Sequence, residues 1–89
     1  MSDALQVLTR RFGERCRQNG EELAALVAAR DEAGLKLLSH KLVGAAATFG
    51  HPGLSEAAAA VEDQLDLGGW PDAAALDRLR IQLAAMADA

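Results

Sequence analysis

The sequence predicts an all-α fold, an antiparallel up-down four-helix bundle, on three observations. Hydrophobic residues make up 51% of the chain but aromatic residues only 3%, with no Tyr, so the composition favours helices packed on helices over strands rich in β-branched and aromatic side chains. Larger apolar residues recur at three- and four-residue steps in four separate segments, the period of a helix with one buried face. The segments are separated by short stretches carrying Gly, Pro, Asn or Asp, and loops that short join antiparallel neighbours. At 89 residues the chain is expected to be a single domain spanning 1–89, able to bury a core without metals or disulfides only if its helices pack well.

The first helix is expected over Asp3–Arg30, with Leu5, Leu8, Phe12, Cys16, Leu23, Leu26 and Val27 on its apolar stripe. Asn19-Gly20 is a turn signal worth roughly 1 kcal/mol against a continuous helix, but the stripe keeps phase across it, which favours one long helix. Asp31 is a candidate N-cap for a second helix running to Phe49, and Gly50 followed by His51-Pro52-Gly53 reads as its stop. A third helix is expected over Leu54–Leu67, ended by Gly68-Gly69. Pro71 suits the first turn of a fourth, reaching about Ala87 on Leu76, Leu79, Leu83 and Met86, with Trp70 placed to staple its start. The final Ala-Asp-Ala is read as a short tail that frays.

Charge narrows the function classes. The net charge is -4 and the nine Lys and Arg are scattered among thirteen acids, so no basic stripe offers itself to a phosphate backbone and nucleic acid is not an expected partner. Cys16 is alone and falls on the apolar stripe, where cysteine serves packing more often than chemistry. No apolar run has the length of a membrane span or a secretory leader. A cytoplasmic, reducing compartment is therefore expected, with no membrane partner, and the starting Met favours a free-standing protein.

The second helix carries the informative polar residues. Leu35, Leu38, Leu42, Ala45 and Phe49 form its expected core stripe, and at 100° per residue His40 lies about 170° from the stripe's centre, facing solvent. Lys36 sits one turn before it, Gly44 one turn after and Ala47 two turns after, so the surface is lowered on one side of the imidazole. A glycine inside a helix costs about 1 kcal/mol relative to alanine. Close approach by another molecule would account for Gly44, and so would close packing of a neighbouring helix. Geometry alone suggests a docking face and names no reaction.

From Asp31 to Glu62, about a third of the chain, the sequence resembles the histidine phosphotransfer (HPt) family. That pattern has an Asp opening the helix and the reactive His nine residues on, then Leu, Lys and Gly at two, three and four positions after the His, Gly at ten, Leu at fourteen and Glu at twenty-two. Asp31, His40, Leu42, Gly44, Gly50, Leu54 and Glu62 meet those spacings. Val43 stands where the family's lysine is usual, and Lys41, about 100° round the helix, is not assumed to substitute; Lys36 is the better-placed cation. The resemblance implies a phosphocarrier without intrinsic kinase activity. One ring nitrogen of His40 would attack a receiver's aspartyl phosphate in line and pass the phosphoryl group to a second receiver.

The implied partners are response-regulator receiver domains, with a hybrid histidine kinase as a further candidate. No cofactor is expected to be bound. Mg²⁺ would be supplied by the receiver, since no carboxylate cluster is legible next to His40. Docking would use Lys36, Leu37, Lys41, Val43, Gly44 and Ala47 around the histidine, although Leu37 fits the bundle flank equally well. Autophosphorylation from ATP is not expected: there is no Gly-rich nucleotide motif, and an acid rather than Lys41 would follow the histidine in a kinase helix. His40, His51 and Cys16 match no compact zinc pattern. His51 is expected to cap or flank its turn, Phe12 and Phe49 to anchor the core, and Glu56, Glu62, Asp63 and Asp66 to form a solvated face. The alternative function is a helical module that binds a receiver without passing phosphate.

Overall fold

The computed structural model describes residues 2–88, and Met1 and Ala89, the ends of the expected chain start and tail, lie outside them. Four helices follow in order, α1 (Ser2–Ala29), α2 (Glu32–Thr48), α3 (Pro52–Asp66) and α4 (Ala73–Ala87). Each packs on the next and α4 closes on α1, giving an antiparallel four-helix bundle with no strand among the described residues. Asn19-Gly20 does not break α1. Phe12, Cys16 and Leu23 are buried on either side of it, and burying such side chains at about 1.5–3 kcal/mol each outweighs the glycine's cost.

Three turns end in the same way. Arg30, Gly50 and Gly68 have φ of 51°, 75° and 90°, the left-handed region in which a helix closes its last carbonyls. After α1 the Arg30 N–H donates to the Val27 carbonyl at 3.1 Å and the Asp31 N–H to that of Leu26 at 3.0 Å, and the same pair of bonds recurs at Gly50 with His51 and at Gly68 with Gly69. Asp31 then caps α2, its Oδ1 accepting from the Gly34 N–H at 2.9 Å. The third helix opens at Pro52, two residues before the expected Leu54, because a proline needs no N–H partner in a first turn. The fourth opens later than expected: Pro71 lies outside it and Asp72 is the N-cap, accepting from the Ala75 N–H at 2.8 Å. Trp70 packs on the core, and the Arg30 guanidinium lies 4.6 Å from its ring centroid, joining the two turns at that end of the bundle.

Leu35, Leu38, Leu42 and Ala46 from α2 meet Leu54, Ala58 and Val61 from α3 and Leu79 and Leu83 from α4 in one core. The α2 stripe departs from the expected one at its end. Ala46 rather than Ala45 is buried, Ser39 is buried with its hydroxyl donating to the Leu35 carbonyl at 2.8 Å, and Phe49 is 49% exposed. Phe49 packs against Phe12 in a tilted pair with ring centroids 4.8 Å apart, so it closes the end of the core from outside. Leu5 and Leu8 are likewise exposed. At 1.5 Å per residue α1 is about 42 Å long against about 25 Å for α2, and the molecule measures 46 × 21 × 19 Å; α1 thus outruns its partners, and Leu5, Val7 and Leu8 stay exposed.

Candidate functional site

The candidate site lies on the outer surface where α2 and α3 run side by side. His40 projects from the middle of α2 with its side chain 76% exposed, and its Nδ1 lies 2.8 Å from Oε2 of Glu62, which is only 18% exposed. One turn earlier on α2 and one turn later on α3, Lys36 Nζ lies 2.7 Å from Oδ1 of Asp66. The pairs share one register: His40 and Glu62 each stand eleven residues from His51 in the turn, and Lys36 and Asp66 each fifteen.

Electrostatics at this surface follow from that pairing. A carboxylate oxygen can only accept, so the contact with Glu62 favours the tautomer with the hydrogen on Nδ1 and leaves Nε2 as the ring nitrogen with a free lone pair. The hydrogen bond from Lys36 to Asp66 holds its ammonium above the ordinary lysine range, and Glu62 adds in the same direction. Two carboxylates thus stand along α3 beside His40 and Lys36. Among the described residues there is no group of three or more His, Cys, Asp or Glu side chains placed to hold a metal ion.

The other expected site residues fall around His40. Gly44 and Ala47 are exposed, and a Cβ built at Gly44 would meet nothing within 4 Å, which removes helix packing as the reason for that glycine. Leu37 is 63% exposed, off the core. Val43 is half-buried against the core and faces α3, whose Ser55 hydroxyl donates to its carbonyl at 3.1 Å. Lys41 is exposed on the opposite flank, lining the groove toward α1 with Arg15 and Glu22. The lowered surface is therefore bordered by Lys36 and Val43 toward α3 and by Lys41 toward α1.

One expectation needs correction. The α3 acids are not a uniformly solvated face: Glu62 is held against His40 and Asp66 against Lys36, because the antiparallel register sets each acid opposite a nitrogen base. Periodicity within one helix cannot see this, although equal distance from the turn at His51 could have found both pairs. His51 flanks its turn, as expected: it occupies the N-cap position of α3 without a side-chain cap bond and stacks on Phe12 at 4.9 Å. Cys16 is buried and free, and no helix among the described residues is long and apolar enough to cross a membrane.

Comparison with protein families finds a match to the family described as Hpt domain over residues 7–89. Comparison with curated proteins and with solved structures finds no match.

Proposed function

The chain belongs to the Hpt domain family, and from that premise we propose that it is a phosphocarrier in a two-component phosphorelay, accepting a phosphoryl group on His40 from one receiver domain and delivering it to another. The observation that carries this reading is the exposed imidazole whose Nδ1 is engaged by Glu62 at 2.8 Å. Its Nε2 is the ring nitrogen left without a partner and serves as the nucleophile, with no further base required for attack.

The Nε2 lone pair forms the N–P bond as the P–O bond to the donor aspartate breaks, and that bonding pair returns to the aspartate as a carboxylate. The ring becomes positively charged, keeps its Nδ1 proton and leans on Glu62, which opposes the new charge at hydrogen-bond distance. Delivery to the second receiver is the same step reversed. Transfer of this kind is mostly positioning and charge neutralisation. The receiver brings the Mg²⁺ that neutralises its own phosphorylated pocket, and this chain contributes a nucleophile and a surface without kinase activity of its own. Leu37, Gly44 and Ala47 supply small or apolar contacts for docking, and Lys41 and Lys36 supply positive charge toward an acidic receiver pocket.

The test is intact-mass measurement after mixing the protein with a panel of phosphorylated receivers and Mg²⁺, beside a His40→Gln variant. A phosphoryl-sized, acid-labile gain in mass that the variant lacks is the expected result. Absence of labelling by any receiver that nonetheless binds would replace this reading with a docking module that passes no phosphate. Val43, where the family's lysine is usual, would then be the first residue to change to lysine.

A further inference from the structure

Resting on the reading of His40 as the phosphoryl carrier, we propose that Lys36 is the counter-ion of the phosphorylated histidine, parked on Asp66 in the free protein and transferred to the phosphoryl oxygens once the N–P bond has formed. A phosphoryl group on Nε2 adds about two negative charges to a surface that already holds the carboxylates of Glu62 and Asp66. Such a group needs a cation. Of the two lysines near His40, Lys41 is turned toward α1 and its Glu22, whereas Lys36 lies on the α3 side, one turn from the imidazole. The residue one turn beyond His40 on that side is Val43, which is packed on the core.

Reach and energetics both allow the exchange. Four residues of helix separate His40 from Lys36 by about 6 Å along the axis, within the swing of a four-carbon lysine stem. The Lys36–Asp66 pair is half exposed on both sides, and a pair of that kind is held weakly. A dianion one turn away offers the ammonium more charge and three acceptor oxygens in place of one carboxylate. Asp66 would thus keep the lysine extended along α3, near where it is needed, without competing strongly for it.

The experiment is a ³¹P NMR pH titration of the phosphohistidine, formed either with phosphoramidate or from a phosphorylated receiver, in the unaltered chain and in Lys36→Ala, Lys36→Arg and Asp66→Asn. Lys36→Ala should raise the second ionisation of the phosphoryl group by about one unit, while Lys36→Arg keeps it within a few tenths. Asp66→Asn should leave it at or below the unaltered value, because the lysine is then free from the start. Identical titration of the Lys36→Ala and unaltered proteins, with His40 labelled in both, would overturn the counter-ion role and leave the carrier reading standing. A label absent from His40 with both donors would overturn the carrier reading and the counter-ion role with it.

Discussion

At the scale of single residues, Glu62→Gln separates charge from shape, since the amide oxygen can still accept from Nδ1 but no longer opposes a positive ring. A charge-assisted hydrogen bond is worth about 1.5–3 kcal/mol, so the initial rate of labelling from a phosphorylated receiver should fall by about tenfold or more, with the helical circular dichroism unchanged. Gly44 is tested in two directions. Gly44→Ala should raise the urea midpoint, by roughly 1 kcal/mol in stability, because the added Cβ meets only open space. Gly44→Trp should fold as well as the parent yet lose most of its transfer rate; full transfer with Trp at this position would show that no receiver approaches there. The exposed imidazole and its small neighbours were legible as a face of one helix. Glu62 and Asp66 as partners were not, because they sit on another helix and only the register between the two brings them in.

At the scale of elements, the bundle is punctuated by left-handed residues, and the first of the three is an arginine. A non-glycine residue in that conformation costs roughly 1–2 kcal/mol, which the stacking of Arg30 over Trp70 partly offsets at about 0.5–1 kcal/mol. Arg30→Ala should therefore keep the strain and lose the stacking, lowering stability by about 0.5–1 kcal/mol. Arg30→Gly should instead raise stability by about 0.5–1 kcal/mol, since the strain relieved exceeds the stacking lost. Urea denaturation of the two variants distinguishes these outcomes. Asp31, Gly50 and Gly68 announced their turns in the sequence through the chemistry of caps. Arg30 did not, since nothing local marks an arginine for positive φ; the two backbone bonds it makes and the aromatic ring from a distant turn hold it there. The start of α4 was misplaced for a related reason, a proline and an aspartate one residue apart each being able to open a helix.

At the scale of the whole molecule, the same blindness to partners explains the free end of α1. Leu5 and Leu8 keep the periodicity of the core, but α4 ends beside Gly13, where the Met86 carbonyl would be 3.1 Å from an added Cβ, and does not continue alongside them. Two groups tie global stability to alkaline pH. Burial pushes the Cys16 thiol above its ordinary 9.0, and Asp66 holds Lys36 above 10.5. In both cases the unfolded chain gives up its proton first, so stability is fully present below those unfolded values and declines as pH rises past about 9 and again, only slightly because the Lys36–Asp66 pair is half exposed, past about 10.5. Denaturant midpoints between pH 7 and 11 should show the decline, and Cys16→Ala, though less stable throughout, should show a smaller loss between pH 9 and 10. The placement of His40 on an open flank, away from any cleft, bears on traffic through the relay. On the proposed reading, a carrier with one reactive nitrogen on one exposed face has a single berth: donor and acceptor receivers would occupy it in turn, never together, so an abundant idle receiver would slow transfer simply by standing in the queue.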